Sequence, residues 1–281
     1  MLSRRAFTQT VLGAAAAESS RIQGVKIGVQ SYSFRDRLLD EAILGMREVG
    51  ISYCELWQGH VEPTGIHNRM RRDELRMWRK TVSIDHFREV RTKFRKAGIE
   101  LVAYNYSFRD DFDDDEIQRG FEFAKALGVK CITASSNVST ASRIDKYAKR
   151  AGIRVGMHNH SRIVDNEFAT PESFARARQG NSPYIAINLD IGHFTAANFD
   201  PVEFIERHHA AIVTLHLKDR KRDQGENLPF GEGDTKIGEV LRLLRDRKYP
   251  IPANIEYEYK GVETVSEVRK CYEYCRGSLE S

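Results

Sequence analysis

Four segments of this 281-residue chain place histidine or carboxylate side chains at alternate positions, a spacing that puts them on one face of a β-strand. The segments are Val155 to His160, Ile187 to Asp190, Thr214 to Lys218 and Asn254 to Glu258. Aliphatic or aromatic residues fill most of the positions between, as in strands that pack against helices on their other face. The polar faces are therefore predicted to meet in a shared interior.

Burying unpaired charges costs several kcal/mol, so these side chains must satisfy one another or a common cation. A cation does this most simply, with one ligand from each strand: His158, Asp190, His216 and Glu256. His160 or His193 could replace His158 in that set. Nitrogen and oxygen ligands without thiolate suit Mn²⁺, Zn²⁺, Co²⁺, Fe²⁺ or Mg²⁺. We predict one divalent metal and leave its identity open.

Four glycines mark the points where a helix-like segment gives way to an aliphatic stretch: Gly50, Gly98, Gly128 and Gly152. Glycine adopts the left-handed conformation just past a helix end without steric cost, so each is interpreted as a junction between a helix and a strand. A repeated junction of this kind predicts parallel strands.

Eight strands are predicted: Val25 to Ser31, Ser52 to Trp57, Glu100 to Tyr106, Lys130 to Ser135, Arg154 to His160, Tyr184 to Asp190, Ile212 to Lys218 and Ala253 to Glu258. The clearest helix follows Ser83, a favourable N-cap. Other helices are predicted from Leu39 to Val49, Asp115 to Leu127, Thr140 to Ala151, Pro171 to Arg178, Pro201 to His208, Ile237 to Arg247 and Thr264 to Cys275. Eight strand–helix units in a chain of this length predict a single-domain α/β fold, a (β/α)₈ TIM barrel over residues 25–276.

The connection from Gly59 to Val82 is long for a barrel loop and is predicted to fold over the mouth. It is rich in basic residues: Arg69, Arg71, Arg72, Arg76, Arg79 and Lys80. Two interpretations stay open, a solvated and mostly helical surface, or a lid that contacts an anionic substrate. The acidic run from Asp110 to Glu116 is interpreted as the loop that starts a helix.

The amino-acid composition narrows the classes of binding partner that the chain can have. The net charge of +4 is spread along the chain and forms no basic stripe, which argues against nucleic acid. No apolar run approaches the roughly 20 residues that span a bilayer, so no membrane association is predicted. The four cysteines are expected to be buried apolar residues, since Cys271 and Cys275, one helical turn apart, are too distant for a disulfide.

Residues 1–20 resemble a twin-arginine export signal, because Arg4 and Arg5 precede an apolar stretch that includes Ala14 to Ala17. We therefore expect a periplasmic or secreted protein that folds before export. The alternative is a basic tail on a cytoplasmic protein.

The four polar motifs, in this order, resemble those of the xylose isomerase-like barrel superfamily, the sugar phosphate isomerases and epimerases. The motifs are Met157-His158-Asn159-His160, Leu189 to His193, Leu215 to Asp219 and Ile255 to Glu258. Members hold one catalytic metal with Glu, Asp, His and Glu from strands five to eight, and Asp190, His216 and Glu256 match the last three. At strand five this chain has His158 where many members have a glutamate that is also the base. The proton acceptor therefore stays open.

The resemblance implies proton removal beside a carbonyl, because a metal chelated by the carbonyl and hydroxyl oxygens of a sugar stabilises the enediolate. The catalytic candidates are His158, Glu256, Glu258 and His160, and Glu55 is a further candidate for the proton. The substrate-binding candidates are His193, Lys218, Glu55, Trp57 and His60, with Trp57, Tyr104 and Tyr106 as an apolar wall for a sugar ring. Arg220 and Arg222 either reach a substrate oxygen or lie in a solvated loop.

The expected function is isomerisation or epimerisation of a ketose or polyol-like sugar, a small-molecule partner. Export favours an unphosphorylated substrate, since sugar phosphates are made and kept inside cells. Three alternatives stay open: a lyase or hydratase acting on 3-keto-glycosides, a non-catalytic sugar-binding barrel, and an apurinic-site endonuclease, which needs further His and Glu ligands. Association into a homo-oligomer is also open.

Overall fold

The structure is a computed structural model that describes residues 19–63 and 70–281. The expected export signal lies outside the described residues except for Ser19 and Ser20, and Arg69 of the basic connection lies outside them too. Within the described ranges no helix is long and apolar enough to cross a membrane.

Eight parallel strands form a closed barrel in which each strand pairs with the next and the eighth pairs with the first. Their bounds are β1 Val25–Gln30, β2 Tyr53–Trp57, β3 Glu100–Asn105, β4 Cys131–Ala134, β5 Arg154–His158, β6 Ile185–Asp190, β7 Ile212–Leu217 and β8 Ala253–Ile255. The predicted (β/α)₈ barrel is confirmed. Each observed strand starts within one residue of its predicted start, and it ends at its predicted end or one to three residues before it. The early ends arise because the chain leaves the sheet to form the loops at the mouth of the barrel.

Helices surround the barrel: α1 Leu39–Val49, α2 Arg72–Thr81, α3 Ile84–Lys96, α4 Asp114–Leu127, α5 Ala141–Ala151, α6 Pro171–Arg178, α7 Ile191–Ala196, α8 Pro201–His208, α9 Ile237–Arg247 and α10 Thr264–Glu280. Single turns of 3₁₀-helix are Ser31–Phe34, Gln58–His60, Val138–Thr140 and His209–Ala211. Short antiparallel strands are Arg21–Ile22, paired with β1, and Asp219–Arg220, paired with Asn227–Leu228. Of the helices, α7 was not predicted, and α2 was expected only under one of the two interpretations of the basic connection.

The four junction glycines all have positive φ angles, 95° at Gly50, 73° at Gly98, 80° at Gly128 and 68° at Gly152. Any other residue would be strained there, so these positions end the helices and turn the chain into the next strand. The predicted cap at Ser83 is also present, since its Oγ accepts a hydrogen bond from the Asp85 backbone N–H at 3.2 Å.

The basic connection is tied down by ion pairs with acidic residues. Arg79 lies 2.8 Å from Glu62 and 3.3 Å from Glu116, all three of them buried, and Arg72 and Arg76 also donate to Glu116. Lys80 pairs with Asp113 at 2.6 Å. These ion pairs dock α2 on the start of α4. The cationic side chains of α2 therefore neutralise the acidic run, and they do not line the cavity at the carboxyl ends of the barrel strands.

The four cysteines are buried and unpaired, as predicted.

Candidate metal centre

Four side chains converge where the barrel strands end. His158 and Asp190 are the last residues of β5 and β6, and His216 lies one residue before the end of β7. Glu256 follows β8 directly, and its backbone N–H still bonds to Leu217 O at 2.9 Å. One potential ligand atom from each of the four lies within 4.8 Å of the others. Strand register produces this meeting, since Asp190 pairs beside His216 and His216 beside Asn254.

Three of these atoms are buried without a hydrogen-bond partner among the described residues: His158 Nε2, Asp190 Oδ2 and His216 Nδ1. They face one another, with His158 Nε2 3.7 Å from Asp190 Oδ2 and His216 Nδ1 3.2 Å from Glu256 Oε2. Lys218 Nζ lies 3.2 Å from Asp190 Oδ2 as an ion pair, without a hydrogen bond between them. Buried polar atoms are nearly always hydrogen-bonded, so three atoms around one point that lack such a bond would be satisfied by a further group. A divalent cation fits the donor set and this need.

Asp190 is positioned by two neighbours. Its Oδ1 accepts a hydrogen bond from the His193 backbone N–H at 2.6 Å, as the N-cap of α7, which leaves Oδ2 facing the cluster. Asn159, fully buried, accepts from the Asp190 N–H at 2.9 Å and donates to its carbonyl at 3.1 Å. Sequence reasoning assigned Asn159 no role, although it lies between His158 and His160 on the opposite face of the strand.

Lys218 supplies the positive charge inside the site. Its Nζ lies 2.6 Å from Glu258 Oε2, 2.9 Å from Glu256 Oε2 and 3.2 Å from Asp190 Oδ2. Burial favours the neutral amine, but the three carboxylates outweigh burial and raise the pKa of Lys218. Burial also acts to raise the pKa values of Asp190 and Glu256, yet neighbouring cationic groups, Lys218 among them, hold both well below their usual range. Both carboxyls are therefore ionised, as metal ligands must be.

Two further histidines lie beside the cluster. His193 Nδ1 is 2.8 Å from an Arg220 guanidinium nitrogen, and its Nε2 is 3.1 Å from Lys218 Nζ. Burial, reinforced by the charge of Lys218, lowers the pKa of His193 well below its usual value. His160 stands at the exposed rim with its ring 5.0 Å from that of His158, and desolvation together with His158 lowers the pKa of His160 to about 4.

The cluster forms the floor of a cavity of about 440 Å³ at the carboxyl ends of the strands. His158, His216 and Glu256 line it together with five predicted site residues: His160, His193, Lys218, Glu258 and Trp57. Sequence reasoning missed Gln30, Tyr32, Asn105, Ser107, Arg109 and Ser135, which line it too. Most are polar and lie at or just beyond strand ends, the position that could have indicated them.

The aromatic wall differs from the prediction. Trp57 lines the cavity beside Tyr32, with ring centroids 5.0 Å apart in an edge-to-face arrangement. Tyr104 and Tyr106 are fully buried on the opposite face of β3, where both rings pack near Phe123 or Phe87 under the helices. The expectation that these two tyrosines contact a sugar ring was therefore wrong, because their alternation places Asn105 inward.

Two other candidates do not line the cavity. Glu55 is fully buried beneath it, where its Oε1 lies 2.9 Å from His216 Nε2. His60 Nδ1 bonds to Ser31 Oγ at 2.9 Å and its Nε2 lies 3.3 Å from Phe34 O. Direct contact of either residue with a substrate would need a rearrangement. Arg220 reaches inward to His193 and Ser161, whereas Arg222 is exposed.

One curated relative is named for an activity on a sugar phosphate. L-ribulose-5-phosphate 3-epimerase UlaE of Escherichia coli is 22% identical over 193 residues, which are 66% of this chain and 65% of that enzyme. The chain thus matches just under two thirds of that enzyme's length.

Two solved structures share the fold. The 3-keto-D-glucoside 4-epimerase YcjR of E. coli superimposes with a TM-score of 0.68 at 14% identity, covering 90% of this chain and 99% of that one. The IOLI protein with a bound zinc atom gives a TM-score of 0.68 at 16% identity, covering 91% and 98%.

A family model described as "Xylose isomerase-like TIM barrel" matches residues 46–275, which span strands β2 to β8 and the whole metal cluster. This match covers most of the chain and includes all four sequence motifs. The chain belongs to the xylose isomerase-like TIM barrel family.

Proposed function

We propose that this protein is a divalent-metal-dependent sugar isomerase or epimerase. The observation that carries the proposal is the set of orphaned atoms on His158, Asp190 and His216, which with Glu256 frame a cation-sized point on the cavity floor. A metal held there would act as a Lewis acid and stabilise the negative charge that develops on the sugar oxygens after proton loss. The activities of UlaE and YcjR support a sugar substrate.

The residues around the cation divide into ligands, proton acceptors and groups that bind the sugar. Glu258 lines the cavity, is not one of the four ligands, and is held 2.6 Å from Lys218, so it is our first choice of base. His160 is neutral at pH 7 and is the second choice. His193 lines the cavity with Arg220 and Lys218 at its two ring nitrogens, so it would hydrogen-bond a sugar oxygen by exchanging one of these contacts. Trp57 and Tyr32 offer an apolar surface to the carbon face of the ring.

The class of sugar on which the protein acts is also part of the proposal. UlaE acts on a sugar phosphate and YcjR on a keto-glucoside, so the two relatives point to different substrates. We retain the expectation that an exported protein acts on an unphosphorylated sugar, together with a periplasmic or secreted location. The zinc atom in the IOLI structure supports Zn²⁺ as one candidate metal.

The test is exchange of the proton next to the carbonyl. The metal-loaded chain is incubated in D₂O with free ketoses, ketose phosphates and 3-keto-glucosides, with and without chelator, and products are followed by NMR. We expect deuterium at the carbon beside the carbonyl with an isomeric product, and none with chelator or in Asp190→Ala. Asp234→Asn, a change in an exposed pair with Lys221, is the matched control and should exchange like the parent.

The other outcomes of the exchange experiment would assign a different function to the chain. Exchange without an isomer but with loss of water or of the aglycone would replace isomerisation by lyase or hydratase chemistry at the same site. Sugar binding without exchange on any substrate would identify a non-catalytic binding barrel and contradict the proposal.

A further inference from the structure

Glu55 is a carboxylate beside the metal cluster that does not line the cavity. It lies on β2 in register with Gln30 of β1 and is fully buried. Three side chains surround its Oε1: Thr133 Oγ1 at 2.6 Å, His216 Nε2 at 2.9 Å and Gln30 Nε2 at 3.1 Å. Asn254 Nδ2 lies 3.4 Å from its Oε2. A buried carboxylate with this many neighbours is placed to orient one of them.

The direction of these hydrogen bonds follows from a fixed backbone donor. The Tyr32 backbone N–H donates to Gln30 Oε1 at 3.0 Å, so the oxygen of that amide faces Tyr32 and its NH₂ faces Glu55. Gln30 therefore donates to Glu55 Oε1, and the Thr133 hydroxyl donates to the same oxygen at 2.6 Å, so Oε1 acts as an acceptor toward its neighbours. His216 Nε2 must then be the donor in its contact with the same oxygen.

The tautomer of His216 follows. In a neutral imidazole only one nitrogen carries hydrogen, so a proton on Nε2 leaves the lone pair on Nδ1. Nδ1 is the atom that faces Glu256 Oε2 at 3.2 Å and has no hydrogen-bond partner among the described residues. When a cation is bound, a proton held on Nε2 by Glu55 would leave the Nδ1 lone pair to the cluster.

Asn188 is consistent with this assignment. Its amide nitrogen is placed 3.1 Å from His216 Nε2, while its amide oxygen is buried and has no partner in the part of the chain that the structure describes. The two ends of an amide are interchangeable on geometric grounds, so rotation by 180° directs the oxygen to the Nε2 hydrogen. After that rotation the Nε2 hydrogen is shared between Asn188 Oδ1 and Glu55 Oε1, and the amide NH₂ takes the position that has no partner among the described residues.

We propose that Glu55 is a positioning residue that, oriented by Gln30, holds His216 as the Nε2–H tautomer and so makes Nδ1 the metal-binding atom. This inference rests on the proposed function, since it concerns the same metal. It assigns Glu55 to the support of a ligand and not to contact with substrate. Partners that fix the other nitrogen of a ligating histidine commonly change metal affinity by about 10–100-fold.

Glu55→Met and Glu55→Gln separate the hydrogen-bond acceptor from the charge. Methionine has no acceptor of comparable strength, so His216 is free to carry its proton on Nδ1, where Glu256 can accept it and where it blocks the metal. Glutamine keeps an oxygen for Gln30 and His216, so the tautomer should persist. The full-length chain is titrated with Zn²⁺ against a chromogenic chelator, and the ring nitrogens are identified by ¹⁵N NMR of the Zn²⁺-loaded protein.

We expect the parent to show a coordinated Nδ1 and a protonated Nε2, an affinity loss of about 10–100-fold in Glu55→Met, and a smaller loss with the same nitrogen pattern in Glu55→Gln. Thr133→Val removes one donor to Glu55 and leaves the acceptor, so it should retain the parental nitrogen pattern. If Glu55→Met fails to fold, the ¹⁵N spectra of the parent and of Glu55→Gln still test whether Nδ1 of His216 binds the metal and Nε2 carries the proton.

Coordination through Nε2 in the parent, or parental affinity in a folded Glu55→Met, would overturn this inference and leave the proposed function intact. A parent that binds no Zn²⁺ and no other divalent metal would overturn both.

Discussion

Lys218 Nζ lies 2.6 Å from Glu258 Oε2 at the centre of the cavity, and Glu256 and Asp190 stand within 3.2 Å of the same nitrogen. The lysine is 2% exposed, so this charge is compensated by carboxylates and not by water. It holds Glu258 against the cavity wall and, together with the neighbouring histidines, keeps the two metal-binding carboxylates ionised.

Lys218→Met should destabilise the metal-free chain by about 3–5 kcal/mol, because it leaves buried carboxylates without their counter-charge. The matched control is Lys221→Met, which removes a half-exposed lysine paired with Asp234 at 3.2 Å and should change the unfolding free energy by at most about 1 kcal/mol. Urea unfolding followed by circular dichroism measures both. Equal effects from the two substitutions would show that Lys218 has no special electrostatic role.

Trp57→Leu should raise KM for the sugar about tenfold, which corresponds to about 1.4 kcal/mol, with the metal content unchanged. Trp57 lines the cavity and forms its aromatic surface with Tyr32. Tyr104→Phe is the comparison, because that hydroxyl is buried away from the cavity with no partner among residues 19–63 and 70–281, and its loss should leave KM unchanged. Steady-state kinetics decide, and a KM effect at Tyr104 but none at Trp57 would contradict the assigned wall.

Glu116 pairs with three arginines of α2, and these pairs make the free energy of unfolding depend on pH. Burial acts to raise the pKa of Glu116, but hydrogen bonds from Arg72 and Arg76, with the charge of Arg79, outweigh it and lower the pKa below its usual 4.5. A lowered pKa in the folded state means that this contribution is fully present above the unfolded value and is lost as pH falls through the folded one.

Glu116→Gln should therefore lower the unfolding free energy by about 1–3 kcal/mol at pH 7, where hydrogen bonds to a charged group are lost. The difference from the parent should shrink as pH falls below 4.5. Chemical unfolding of both proteins from pH 7 to pH 3 measures this. A difference that stays constant or grows on acidification would be inconsistent with an ionised Glu116.

The barrel and the four converging side chains were predictable because both depend on short-range patterns. Alternating polar residues on β5 to β7 and in the segment of β8 put His158, Asp190, His216 and Glu256 on the inner face, and glycines such as Gly50 and Gly152 ended the helices. In a parallel barrel all strands end at one mouth, so shared parity was enough to bring these residues together.

The missed features either left too weak a local pattern or depend on contacts between distant segments. On β3 the tyrosines and Asn105 are all buried, so burial does not distinguish the two faces, and only the polarity of Asn105 indicated which one points inward. Helix α7 has six residues and begins directly after Asp190, which leaves too short a pattern to recognise. The position of Glu55 under His216 required the register of β1, β2 and β4 with β7, which no local pattern contains.

The most direct test of the central claim is the metal content of the purified full-length chain, measured by elemental analysis after incubation with Mn²⁺ or Zn²⁺ and removal of free ions. About one divalent ion per chain is expected in the parent, and none in Asp190→Ala or His216→Ala variants whose circular dichroism shows a folded barrel. A parent that retains no ion, or folded variants that retain as much metal as the parent, would contradict the account.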